Sequence, residues 1–375
     1  MQRIYLDYNA STPIAPAVQQ VIMQHMAEEL GNPSSVHLHG KLCRRQLEES
    51  RQSIAQFFDV KPQEVFFTSG ATEGAVTLLR GIMQKKGAGH IISSKGEHAC
   101  VYQTLQELSQ QNIEVTFLPI DAWGAPLPEA VKAAIRPDTK LITITAVNHE
   151  TGVKTDVEAI AAIAQSKNIP FVVDGTAWIG KEVITLPKGV SALFFSGHKI
   201  YAPKGIGCYI CRSNLKYNPL WIGGGQEFNR RGGTENLLGI IALAKAICIL
   251  KNEQAQMIIH MQAMRDLLER ELKQRLPNVS VNGAGPRICN TSNLAFGGVD
   301  GESLLIGLDA AGISVSHGSA CAAGALEPSR VLLAMGLPQA LVRSSLRFSL
   351  GHMTTEKDIM EAIDRVVAVV HKLQF

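Results

Sequence analysis

The chain has 375 residues, of which 46% are hydrophobic and 18% charged, enough apolar material to bury one large core and a smaller second one. Its 36 basic and 33 acidic residues leave a formal charge of +3, with no block of one sign able to track a phosphate backbone, which argues against nucleic acid as a partner. No apolar run approaches membrane-spanning length and the opening MQRIYLD lacks the pattern of a signal peptide, so a cytoplasmic protein with no membrane partner is expected.

Short β-branched runs at 90–94, 115–120, 141–147 and 170–174 alternate with helical stretches at 98–111, 126–135 and 156–167. That rhythm predicts an α/β fold with a largely parallel, helix-covered sheet. From about Leu237 a long helical segment runs through Lys273, followed by short strands near 278–282 and 292–296 and a last helix from Thr355 to Lys372. A smaller domain is expected to begin inside the long helix, with the chemistry between the two parts.

Cysteines stand at 43, 100, 208, 211, 248, 289 and 321, an odd number that argues against a disulfide framework. Cys208 and Cys211 form a C-x-x-C within the strand-like GIGCYICRS, where a spacing of three sends the side chains to opposite faces. They are expected in the core.

Ligands of open parallel sheets bind beyond the carboxyl ends of the strands. In FFTSGATEG (66–74) a strand runs into a helix start near Ala71 and Thr72, a phosphate cradle or an ordinary Ser/Thr helix cap. In FVVDG, Asp174 ends an apolar strand, where it either meets a positive partner such as a protonated ring nitrogen or caps the next helix. In ALFFSGHKIYAPKG (192–205) a strand delivers Ser196, His198 and Lys199 together, a set suited to a phosphate and an aldehyde, with Lys199 as the Schiff-base lysine. SHGSACAAGALEPS (316–329) lacks apolar periodicity and surrounds Cys321 with small residues, which marks it as an accessible nucleophile on a loop.

The segments YLDYNASTP, GNPSSVHLHG, FTSGATEG, GEHACV, VDGTA, SGHKIYAPKGIG, RRGGTEN, GSAC with LEPS, and SSLRFSLG occur in the order seen in cysteine desulfurases. The chain resembles that family from end to end, and within it the NifS/IscS-like branch devoted to iron–sulfur cluster assembly. The resemblance implies the class V aminotransferase form of the fold type I transferases that depend on pyridoxal 5'-phosphate (PLP). It further implies a homodimer, a large cofactor-binding domain at 15–250, and a small domain from 1–14 and 251–375 carrying the catalytic-cysteine loop at 316–330.

Carried over by motif, the resemblance implies that Lys199 holds PLP, Asp174 pairs with its ring nitrogen and His98 stacks on the ring. Ala71, Thr72, Ser196 and His198 resemble the phosphate ligands, and Thr234 the one donated by the partner subunit. Arg347 resembles the clamp for the substrate carboxylate, with Asn32 also near the substrate. Lys199, together with His98, would move the proton from the α-carbon of L-cysteine, and Cys321 would take the sulfur as a persulfide for an iron–sulfur scaffold or another acceptor protein. No metal is implied.

Two positions depart from the family pattern. The usual pair of asparagines before Glu150 reads Asn148-His149, and an expected glutamine is Ala177. His149 keeps a hydrogen-bonding role toward the cofactor and Ala177 has none, so a slow or specialised desulfurase is expected. The alternatives are a paralogue with another small amino acid such as selenocysteine as substrate, or a weakly active or inactive scaffold-binding homologue.

Overall fold

The computed structural model describes residues 3–28, 31–318 and 328–374. Among the described residues twelve strands follow in chain order: β1 (Ile4–Tyr5), β2 (Val65–Thr68), β3 (Gly89–Ser94), β4 (Ile113–Leu118), β5 (Thr139–Thr145), β6 (Phe171–Asp174), β7 (Ala192–Ser196), β8 (Gly207–Cys211), β9 (Val279–Val281), β10 (Thr291–Phe296), β11 (Ile313–Ser314) and β12 (Ser345–Ser349). The main sheet has the order β2-β8-β7-β6-β5-β3-β4. β8 runs antiparallel to both of its neighbours, and the other pairings are parallel, as the strand–helix rhythm predicts. The helical expectations are met by Ala99–Ser109, Pro128–Ala133 and Val157–Ser166, which cross between successive strands.

Both faces of this sheet are buried, and the alternation of side chains sorts them. Phe67, Ile92, Ile142, Val173, Leu193 and Phe195 join one apolar cluster, while Phe66, Ile91, Leu141, Val172 and Phe194 join the other. Cys208 falls in the first and Cys211 in the second. The C-x-x-C therefore belongs to opposite faces of β8, as its spacing requires.

A second sheet, β12-β10-β9, is antiparallel. The parallel pair β1–β11 adjoins it through bridges from Asp7 to Ser349 and from Ser316 to Arg347. Beneath these strands lies a third cluster containing Ile4, Leu6, Leu346 and Phe348, and burying side chains of this size is worth about 1.5–3 kcal/mol each. The helix Leu237–Arg275 links the clusters: Leu243, Leu250 and Met261 pack under the main sheet, Leu268 and Leu272 under the second. The last helix is Glu356–Leu373, opened by a Thr355 cap whose side chain accepts from Asp358 N–H. Among the described residues no helix is long and apolar enough to cross a membrane.

What positions the site is the set of strand ends. Thr68, Ser94, Thr145, Asp174 and Ser196 close β2, β3, β5, β6 and β7, and each is buried. At the edge of this array β8 begins on Gly207, where a Cβ would come within 2.5 Å of Gly70 Cα. Only glycine permits that approach of the strand to the turn before helix Ala71–Lys86.

Candidate active site

Ala71, Thr72, His98, His149, Asp174, Ser196, His198, Lys199 and Arg347 line one cavity of about 380 Å³, and Ala177 lines it with them. Asn32 and Thr234 are exposed and do not line it. The Asn32 carboxamide oxygen accepts from Ser34 N–H at 2.8 Å, a local turn. Cys321, and with it 319–327 of the loop at 316–330, lies outside the described residues.

Lys199 closes a single 3₁₀ turn, Gly197–Lys199, at the end of β7. Its ammonium donates to the main-chain carbonyl of Ala10 at 2.8 Å and to that of Asn9. The same N-terminal segment holds His198: Thr12 N–H donates to the His198 carbonyl at 2.8 Å and Ser11 Oγ lies 3.3 Å from His198 Nδ1. Burial, reinforced by Lys199, Lys204 and Lys181, pushes the His198 ring down to about 4, so it is neutral at ordinary pH. Lys181, buried in the cavity wall, donates to the Lys199 carbonyl at 3.2 Å and is itself lowered to about 8 by burial.

Helix Ala71–Lys86 points its start into the cavity, and no side chain caps it. Its first N–H groups and the positive end of its dipole therefore suit an anion. Glu73 anchors the turn by accepting from Ser69 N–H at 2.8 Å and from Arg231 Nε at 3.0 Å.

Deeper in the cavity Asp174 accepts from Thr176 N–H at 2.9 Å, and burial raises its pKa. Behind it Glu97 is fully buried. Its Oε1 accepts from Ser94 Oγ at 2.6 Å and Thr145 N–H at 3.1 Å, while its Oε2 has no partner. Burial foremost, with the nearby Asp174 charge, raises Glu97 to about 8.

His98 caps helix Ala99–Ser109: its Nδ1 accepts from Cys100 N–H at 3.3 Å. The His149 ring stands edge-on to it, with centroids 5.1 Å apart and an interplanar angle of 73°. Burial, then the charges of His98 and Arg347, hold His149 well below its usual pKa, and its buried Nδ1 has no partner. Arg347 is 2% exposed; it pairs with Asp7 at 2.6 Å and donates to the His149 carbonyl at 3.1 Å, leaving its Nε without a partner.

Several residues of this site went unassigned in the sequence. YLDYNASTP supplies Asp7 and the carbonyls of Asn9 and Ala10, and its cluster of polar residues after a short strand was the available signal. Glu97 and Cys100 flank His98 in GEHACV, and Cys100 lines the cavity. Lys181 gives no local sign, because only the fold reveals its burial. Among the described residues no group of three or more His, Cys, Asp or Glu side chains is placed to hold a metal ion.

The class-V aminotransferase family matches residues 4–361, and the chain belongs to that family. Within it, the relative named cysteine desulfurase IscS from Dictyoglomus turgidum is 38% identical over 378 residues, spanning 100% of this chain and 96% of its own length. The solved structure of a NifS-like protein superposes with a TM-score of 0.92 at 30% identity, covering 99% of this chain and 100% of the other. That of SspA in complex with cysteine gives a TM-score of 0.83 at 32% identity, covering 94% and 100%. The family and fold inferred from the ordered motifs are thus those observed.

Proposed function

We propose that the chain is a homodimeric, cytoplasmic cysteine desulfurase. It uses PLP to convert L-cysteine to L-alanine and leaves a persulfide on Cys321 for an iron–sulfur scaffold or another sulfur-acceptor protein. The observation that carries this reading is the gathering of Lys199, Asp174, His98 and Arg347 in one cavity, in a chain whose relative is named a cysteine desulfurase.

The cavity fits PLP on the chemistry of its donors. A half-buried lysine amine, a buried carboxyl at a strand end, an uncapped helix start and a guanidinium with spare terminal N–H groups match an aldehyde, a ring nitrogen, a phosphate and a substrate carboxylate. When bound, PLP supplies an electron sink for the charge that develops at the substrate's α-carbon.

The chain does the rest. Lys199 would hold the aldehyde until substrate arrives, and its Nζ would then take the proton from the α-carbon. Asp174 would keep the ring nitrogen protonated. Ala71, Thr72, Ser196 and the neutral His198 would receive the phosphate, and the His98 ring would cover the cofactor. Arg347 would seat the substrate carboxylate, fixed there by Asp7, while Asn32, outside the cavity, would take no part in that seat. The Cys321 thiol would then take the substrate sulfur, and a second protein would relieve it.

The dimer is supported by the exposed Trp221, Ile222 and Phe228 near the exposed Thr234, an apolar surface that asks to be covered. Thr234 would act on the partner's cavity. The same reading divides the chain into a cofactor-binding part at 15–250 and a small part from 1–14 and 251–375, supported by the change of cluster within the long helix. With Ala177 offering no donor beside the cofactor, turnover would be lower by about tenfold, the cost of roughly one lost hydrogen bond.

Purified protein supplied with PLP should develop the absorbance of a lysine-bound cofactor and release sulfide and alanine from L-cysteine with a reductant. Selenocysteine run in parallel sets the substrate preference. Cys321→Ser should abolish sulfide release and leave the spectrum in place. Absence of both the spectrum and the products would refute the reading.

A further inference from the structure

Cys100 occupies the second position of helix Ala99–Ser109 and lines the same cavity as Lys199 and Arg347. Its sulfur lies 3.1 Å from His98 Nδ1, and its own backbone N–H donates to that nitrogen at 3.3 Å. An Nδ1 that accepts from a main-chain N–H bears no proton and turns its lone pair toward the thiol. The thiol proton is thereby directed at a basic nitrogen. A half-buried thiol at a helix start beside an accepting imidazole has the surroundings in which cysteines act as nucleophiles. Cys43, Cys208, Cys211 and Cys289 are buried instead, and Cys248 is the other half-buried thiol among the described residues.

A second observation says what this thiol would meet. Arg347, 2% exposed, lines the same cavity, and after its bonds to Asp7 and the His149 carbonyl each of its two terminal nitrogens keeps a second N–H. A carboxylate is the group that such a donor takes. The cavity thus pairs a thiol and its proton acceptor with a seat for an amino-acid carboxylate.

We propose that Cys100 is a second reactive thiol of this protein, which captures half of an α-amino-acid disulfide, cystine being the simplest, and so blocks the cavity against cofactor and substrate. The proposal rests on the reading of Arg347 as a carboxylate clamp. The Cys100 thiol gives its proton to His98 Nδ1 while its sulfur attacks one sulfur of cystine. The cystine S–S bond breaks, a bond forms between Cys100 and one half, and the other half departs as a thiolate that takes up the proton. Cystine is the oxidant, and an excess of thiol reverses the exchange.

The test incubates the full-length protein, without reductant, with cystine or with the neutral bis(2-hydroxyethyl) disulfide, and maps adducts by peptide mass spectrometry. Cystine should modify Cys100 about tenfold or more faster than Cys248, by the difference in thiol surroundings. The neutral disulfide should be slower at Cys100 by about tenfold, having nothing to offer Arg347. Prior loading with PLP should protect Cys100, a thiol reductant should remove the adduct, and Cys100→Ser should form none at position 100. Equal rates at Cys100 and Cys248, equal rates for the two disulfides, or no protection by PLP would each overturn the proposal. Sulfide release from cysteine under reducing conditions reports separately on the proposed function, so the two can fail independently.

Discussion

Two arginines are buried to the same degree, each with a side chain 2% exposed, and they do opposite things. Arg51 is nearly saturated. It donates to both oxygens of Glu227 at 2.7 and 3.0 Å, to the Val65 carbonyl at 2.8 Å and to Glu48 at 3.3 Å, between the rings of Phe67 and Phe228. It braces a turn in which Glu227, Phe228 and Asn229 take φ values of 46°, 54° and 63°, a region costly for residues with a Cβ. Arg347, tied to Asp7 and one carbonyl, gives only two of its five N–H groups and keeps one on each terminal nitrogen in reserve. A guanidinium with nearly all its donors used fixes backbone, whereas one that lines a cavity with most of them unspent is ready for a ligand, and the desolvation it tolerates is the cost of that readiness.

The contrast can be broken experimentally. Arg51→Met leaves Glu227 buried without its counter-charge, so urea unfolding should show a loss of about 3–5 kcal/mol; a loss below about 1 kcal/mol would remove the distinction between a brace and a clamp. Arg347→Lys keeps the charge for Asp7 but loses the planar fork, so kcat/KM for cysteine should fall by about ten- to a hundredfold, chiefly through KM. Steady-state kinetics that leave KM unchanged would deny Arg347 its role.

The smallest effect concerns Glu97, the acidic counterpart of Arg347, with one oxygen bonded and the other unpartnered. In the folded protein it keeps its proton up to about pH 8, against 4.5 for the ordinary carboxyl, with burial as the main cause. The unfolded chain gives up that proton first, so the stability from this group falls as pH rises across the window. Glu97→Gln, which cannot ionise, should flatten that slope, by on the order of 1 kcal/mol between neutral and alkaline pH. Urea midpoints with the same pH dependence in both proteins would show that Glu97 titrates normally.

Much of this was legible in the residues. Asp174 announces itself because an apolar strand ends on it, and Lys199 because the strand–turn register of ALFFSGHK places it one turn past the end of another, at the sheet's carboxyl edge. The opposite fates of Cys208 and Cys211 follow from a period of two. What stayed hidden is of two kinds. The Asp7–Arg347 pair spans 340 positions, a distance across which no local pattern operates. The seats of the Lys199 ammonium are main-chain carbonyls of Asn9 and Ala10, and carbonyls are common to all residues. Cys100 was passed over for a related reason: its chemistry comes from His98 Nδ1, whose role as an acceptor depends on the helix it caps.

The pairing of β1 with β11 and of Asp7 with Arg347 has a consequence for biosynthesis. Residues 4–10 leave the ribosome long before their partners at 313–349 exist. The nascent chain can therefore complete the seven strands of the main sheet, by Cys211, and expose Lys199 and the start of helix Ala71–Lys86 while the clamp for the substrate is still unmade. During that interval the opening segment, with Ile4 and Leu6 bound for the third cluster, waits without its sheet. On the proposed function, cofactor capture and substrate competence would thus be separated in time during translation, and premature termination before β12 would leave a chain with the main sheet formed and no Arg347.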